Sequence, residues 1–249
     1  MRTYAIGDIH GHIDLLEDAH AKIARDRAKH GDFAAPVVHV GDLVDRGPES
    51  RAVVEFLRAG VAARKPWIVL KGNHDRMFAS FLRDMNYQDP GLRADLSYLH
   101  PRIGGAETLA SYGVRSAADR PVAQVHADAV ANVPSTHRTF LEIRPTWFRR
   151  GDVVFVHAGI RPGIPMEKQS EDDLVWIRRD FLEDPRDHGF IVVHGHTAIH
   201  SATNYGNRIN IDSSAAYGGA LTTIVLEGRD AYLLEDGTRR LLPPLKRGG

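Results

Sequence analysis

Five times along this chain a short apolar run of β-forming residues stops at a burst of glycine, aspartate, asparagine and histidine. Residues 3–6 run into Gly7-Asp8-Ile9-His10-Gly11, residues 37–40 into Gly41-Asp42-Leu43-Val44-Asp45-Arg46-Gly47, and residues 67–70 into Gly72-Asn73-His74-Asp75. Further on, residues 153–156 lead to His157-Ala158-Gly159 and residues 191–193 to His194-Gly195-His196-Thr197. Apolar runs of this length fit strands rather than helices. Helical periodicity lies between the first runs. Leu15, Leu16, Ala19 and Ile23 share one helical face, with Asp14 and Glu17 spaced as a capping box and Gly31 placed to close the helix. A second helix is expected after Gly47, with Pro48 in its first turn and Gly60 at its end.

The second half reads differently. Arg150-Gly151-Asp152 and Glu227-Gly228-Arg229-Asp230 are hairpin-like turns between apolar runs, and residues 208–211 and 221–226 add two further strands, so the sheet content should be mixed. Residues 86–141 have weak strand signal, turns at Asp89-Pro90-Gly91 and Gly104-Gly105, and helical periodicity over 106–112, which predicts a mostly helical insertion. The expectation is an α/β (α+β) fold, with all 249 residues in one domain.

Composition narrows the chemistry. With no cysteine, any metal must be held by nitrogen and oxygen ligands, and a thiol nucleophile is excluded. Thirty-two Lys and Arg balance thirty-two Asp and Glu, which removes the basic footprint of a nucleic-acid binder. The apolar runs are far shorter than the ~20 residues of a membrane span, and residues 1–11 lack a signal-peptide core, so the expected compartment is the cytoplasm.

Strand ends are where α/β folds place their sites, and five such ends in one chain point to a single polar locus. Taken singly the motifs are weak, since Gly-Asp-x-His-Gly can be a capped turn and a strand-end histidine is more often structural. The six fixed residues of Gly41-Asp42-x-Val44-Asp45-Arg46-Gly47, however, arise by chance on the order of once in ten thousand such chains. Asp8 and His10 are two apart and would point the same way if the strand continued through them.

In this order, GDIHG, GDLVDRG, GNHD, HAG and GHT resemble the phosphoprotein phosphatase branch of the calcineurin-like metallophosphoesterases, in particular the bacterial and phage-type protein phosphatases and the symmetrical diadenosine tetraphosphatases. The resemblance, which runs from Asp8 to His196, implies a four-layer αββα sandwich. It implies that Asp8, His10 and Asp42 hold one divalent ion and that Asp42, Asn73, His157 and His196 hold a second. His74 would act as general acid beside Asp45, with Arg46, Asn73 and a second arginine on the phosphate. Arg178, in Trp176-Ile177-Arg178, is the choice for that arginine, and Arg161 in HAGIRPG is the competitor. His12 and His194 lie off the ligand register and should support loops. One departure stands out: Asp212-Ser213-Ser214 replaces the family's Asp-Thr-Gly, which predicts an altered loop near the site.

The implied chemistry is direct attack of a hydroxide bridging two ions. Two divalent cations and two carboxylates leave about one positive charge to meet a phosphate dianion, even with that hydroxide in place. Mixed His, Asn and carboxylate ligation suits Mn2+ best, with Fe or Zn as alternatives. The expected activity is hydrolysis of phosphoprotein or phosphopeptide esters. The alternatives are cleavage of a dinucleoside polyphosphate and, from a different class, a non-catalytic metal-binding regulatory module. Expected partners are therefore a phosphorylated protein or small phosphoester, with neither nucleic acid nor membrane.

Overall fold

The computed structural model describes residues 1–245. In chain order its elements are β1 (Arg2–Ile6), α1 (Ile13–His30), β2 (Val37–His39), α2 (Ser50–Ala62), β3 (Trp67–Val69) and α3 (Asn73–Arg83). Then come α4 (Gly105–Ser111), α5 (Val122–Asn132), α6 (Ser135–Glu142), β4 (Trp147–Arg150), β5 (Val153–Val156), α7 (Glu171–Trp176) and α8 (Arg179–Leu182). The chain closes with β6 (Ile191–His194), β7 (Thr203–Asn204), β8 (Arg208–Asn210), β9 (Thr223–Glu227), β10 (Asp230–Glu235) and β11 (Thr238–Leu241).

Two mixed sheets result, ordered β11-β10-β9-β1-β2-β3 and β4-β5-β6-β8-β7. The three motif-bearing strands β1, β2 and β3 are parallel, as are β5, β6 and β8, while both glycine turns join antiparallel neighbours. Alternation along the strands explains the layering. Ala5, Phe155 and Val193 point into a core between the two sheets, whereas Tyr4 and Ile6 face the helices over the first sheet. Val154, Val156 and Val192 face α7 and α8 over the second, through Leu174, Ile177 and Phe181. The central strands β1, β2, β5 and β6 are thus covered on both sides, giving the αββα order and accounting for unbroken apolar runs, while the edge strands β4 and β11 stay partly exposed.

Four local expectations need correction. Pro48 lies before the cap Glu49 and outside the first turn of α2, which begins at Ser50. Helix α1 starts at Ile13 with His12 as its cap and no side-chain capping bond, so Asp14 and Glu17 form no capping box. The chain turns early because the His12 N–H donates to the Ile9 carbonyl, while the Ile9 and His10 N–H groups are drawn onto the Asp42 carbonyl. Gly60 does not end α2, which continues to Ala62; it lets the Trp67 ring lie flush on the helix, where a Cβ would overlap that ring. In residues 86–141, helix begins only at Gly105, and the stretch before it is loop.

A polar junction ties the helical layer to the sheet edge. Asp26 of α1 receives both a fork from Arg239 of β11, at 2.7 Å to each oxygen, and the Tyr4 hydroxyl at 2.8 Å. Burial would raise this carboxyl, but Arg239 and Tyr4 outweigh it and hold Asp26 below the usual range. The resulting stability is present above about pH 4 and is lost as pH falls through the lowered native value. Asp26→Asn should therefore lower the melting temperature at pH 7, and the gap to the parent chain should close as pH drops below 4. A gap independent of pH in calorimetry would contradict the assignment.

Candidate metal centre and phosphate site

All five motif loops emerge at the carboxyl ends of β1, β2, β3, β5 and β6, and their polar side chains meet across the gap between the sheets. Asp42 lies at the centre. Its Oδ2 is 3.4 Å from His10 Nε2 and its Oδ1 is 3.3 Å from His157 Nε2. Ligand atoms of His10, Asp42 and His74 lie within 4.8 Å of one another, and so do those of Asp42, His157 and His196. Asn73 completes the second group, its Oδ1 being 2.9 Å from both His157 Nε2 and His196 Nδ1. Asp8 is outside both groups, yet its buried Oδ1 has no hydrogen-bond partner, while Oδ2 accepts the His196 N–H at 2.9 Å.

The backbone there is under constraint. His10 (φ 46°), Asp42 (φ 51°), Asp45 (φ 72°), Arg46 (φ 69°) and His196 (φ 65°) are all left-handed without being glycine. Such conformations cost on the order of 1–3 kcal/mol each and persist where the surroundings over-determine them. Strand β1 has ended at Ile6, so Asp8 and His10 converge through this curl and not through the pleat alternation expected of a continuing strand. Ser214 keeps the left-handed conformation (φ 65°) despite its side chain, so the predicted alteration of this loop does not extend to its handedness.

The residues fit a pair of cations. Burial, Asp212 and Asp42 push the Asp8 carboxyl well above its usual range, while burial and Asp42 raise Asp75 to about 7. Burial opposes the charge on Asp42, but His157, His74 and His10 win and hold it well below. His157 is driven to about 9 because Asp42 outweighs the burial that would lower it. Such a crowd of buried carboxylates and imidazoles, with an orphaned oxygen on Asp8 and an orphaned Nε2 on His196, is the donor set for borderline divalent ions. The remaining ring nitrogens are committed: His10 Nδ1 lies 2.9 Å from the Val44 carbonyl and His157 Nδ1 lies 3.0 Å from that of Val40. This fixes each tautomer and aims Nε2 at Asp42.

Adding Mn2+ to metal-free protein should raise its melting temperature. Saturation at a hundredfold over Kd contributes about 2.7 kcal/mol per site, or roughly 5–10 °C for a chain of this size. A flat thermal-shift titration with Mn2+, Fe2+ and Zn2+ alike would contradict a metal centre here.

His74 stands apart from the ligands by its hydrogen bonds. Its Nδ1–H donates to Asp45 Oδ2 at 2.7 Å, and Nε2 faces the cavity, 3.0 Å from Arg46 Nη2. Asp45 in turn accepts the Tyr98 hydroxyl at 2.8 Å and the Thr108 hydroxyl at 2.7 Å on Oδ1. Both donors belong to the 86–141 segment, and no local motif marks them. Arg46 bonds neither Asp45 nor Asp75; its Nη1 lies 2.7 Å from His10 Nε2 and its guanidinium sits 5.2 Å from the Tyr217 ring centroid.

A cavity of about 580 Å3 opens above this cluster, lined among others by Asp42, Asn73, His74, Arg46, Arg178 and His196. Among the described residues Arg178 bonds only Thr197 Oγ1, at 3.3 Å, and burial lowers its pKa. Arg161 is elsewhere, bound by Asp173 and Asp180, and does not line the cavity. His12 caps α1, and His194 is buried against Phe181 with Nδ1 near the Gly195 carbonyl. The sequence marks Asp89 only as part of a turn. Fully buried, it accepts a fork from Arg76 and the Trp176 indole N–H at 2.8 Å, pinning the cavity wall.

With fold and geometry in place, the relationships are clear. The family model for calcineurin-like phosphoesterases matches residues 1–225, and the chain belongs to that family. It is 26% identical over 231 residues to the bis(5'-nucleosyl)-tetraphosphatase PrpE [asymmetrical] of Bacillus cereus (strain Q1), covering 89% of each chain. The PrpE of Bacillus thuringiensis (strain Al Hakam) is 24% identical over 233 residues, at 90% of each. The fold resembles that of a cold-active protein-tyrosine phosphatase from a psychrophilic Shewanella, with a TM-score of 0.61 and 18% identity over 97% of this chain and 80% of that one.

Proposed function

We propose that this metal-dependent phosphoester hydrolase acts on a dinucleoside polyphosphate. One observation carries the reading: the cavity is lined by four arginines, Arg46, Arg93, Arg102 and Arg178, against a single carboxylate, Asp42. One phosphate monoester needs at most two of them, whereas a chain of phosphates carries charge enough for more. The names of the PrpE relatives agree. In this reading Asp8, His10 and Asp42 hold one divalent ion, and Asp42, Asn73, His157 and His196 hold the other. Two such ions supply Lewis acidity toward phosphoryl oxygens and lower the pKa of coordinated water towards about 7.

The chain's own residues do the rest. Arg46 and Arg178 fork onto the oxygens of the scissile phosphate, matching two oxygens each. Asp45 keeps the His74 ring oriented with Nε2 facing the cavity, so that a proton carried at Nε2 is delivered to the departing oxygen. The leading sequence expectation, a phosphopeptide, keeps one point in its favour: Leu92, Leu96 and Ile103 give the same cavity an apolar wall on which neighbouring peptide side chains could lie. Rates on diadenosine tetraphosphate and on a phosphopeptide panel, measured side by side, decide. We expect kcat/KM to favour the nucleotide; a clear preference for phosphopeptide would overturn the reading.

A further inference from the structure

The four cavity arginines differ in what already engages them. Arg46 faces His10 and His74, Arg178 reaches Thr197, and Arg93 is forked onto Asp95 at 2.7 and 3.0 Å. Among the described residues nothing pairs with the guanidinium of Arg102; only its backbone N–H is engaged, donating to His100 Nδ1 at 3.1 Å. An exposed arginine commonly finds a carboxylate, and this one lines a cavity in which the sole carboxylate is Asp42.

The backbone that carries it is tied down. The turn is tied at Tyr98, whose hydroxyl bonds Asp45, and at Gly104, whose carbonyl accepts the Arg46 N–H at 3.2 Å. Gly104 is left-handed (φ 87°) and packs so closely that a Cβ would overlap the Arg46 backbone. Arg102 is thus held two residues from a direct backbone contact with the arginine assigned to the scissile phosphate. Across the cavity Tyr217, 67% exposed, lies over Arg46 on the short turn after Ser214.

We propose that Arg102 forms a second anion subsite, binding a phosphate of the substrate beyond the one that is attacked and so selecting polyphosphates over monoesters. This rests on the reading of the substrate as a dinucleoside polyphosphate. The subsite recognises a run of phosphate oxygens by charge-assisted hydrogen bonds, and a substrate with a single phosphate leaves it unused.

The test compares Arg102→Ala and Arg102→Lys with the parent chain, using diadenosine tetraphosphate and an aryl monophosphate as substrates and tripolyphosphate and inorganic phosphate as inhibitors. For Arg102→Ala the ratio of kcat/KM for the tetraphosphate to that for the aryl phosphate should fall about ten- to a hundredfold, mainly through KM, the loss of a hydrogen bond to a charged group. Inhibition by tripolyphosphate should weaken relative to that by phosphate, and Arg102→Lys should recover part of both. Equal losses on both substrates, or an unchanged ratio with unchanged tripolyphosphate inhibition, would overturn the subsite. A parent chain that fails to cleave the tetraphosphate would defeat the substrate reading instead. The inhibitor comparison then still judges Arg102 on its own.

Discussion

Asp42→Asn is expected to lower kcat/KM toward any phosphoester by on the order of a thousandfold or more, while the protein stays folded. The amide has the shape of the carboxylate, tolerates the left-handed backbone (φ 51°), and its oxygen can still accept the His74 N–H that Asp42 Oδ1 now takes at 3.0 Å. What disappears is the negative charge that both candidate ion sites share. Losing several kcal/mol of charge stabilisation is worth at least three decades in rate. Metal content should fall together with activity. An Asp42→Asn protein with its metal gone and its rate unchanged would refute the shared-ligand arrangement.

His74→Asn should cost about 10²- to 10⁴-fold on substrates with poor leaving groups, because proton delivery to the departing oxygen is lost. The penalty should shrink on substrates whose leaving oxygen is already acidic, such as an activated aryl phosphate or a phosphoanhydride, since these need the proton less. Metal content should hold, because in the proposed arrangement His74 serves neither ion, its Nδ1 being held at 2.7 Å by a carboxylate, Asp45, where His10 and His157 are held by backbone carbonyls. This separates His74 from the ligands, although its ring lies among their donor atoms. A uniform loss across leaving groups, accompanied by loss of metal, would make His74 a ligand and leave the leaving group without its acid.

The layered fold was legible because the central strands are covered on both faces, so residues 153–156 and 191–193 wrote themselves as unbroken apolar runs. Local endings were less so. Asp14 and Glu17 have the spacing of a capping box, but contacts to the Asp42 loop decide where α1 begins. Gly60 looked like a helix stop and instead accommodates the Trp67 ring, a contact that only folding brings about. The candidate ligands stood out since metal-binding side chains repeat at successive strand ends. Tyr98, Thr108 and Asp89 did not, because each acts by meeting a residue far away in sequence, from a segment whose pattern encodes only turns and helix.

The account stands on two ions sharing Asp42, and diffraction from crystals grown with Mn2+, with data collected at the manganese absorption edge, tests it most directly. We expect two anomalous peaks about 3.5–4 Å apart, with the Asp42 carboxylate between them, Asp8 and His10 on one side, and Asn73, His157 and His196 on the other. A single peak, or peaks away from these side chains in a protein that still hydrolyses phosphoesters, would contradict it.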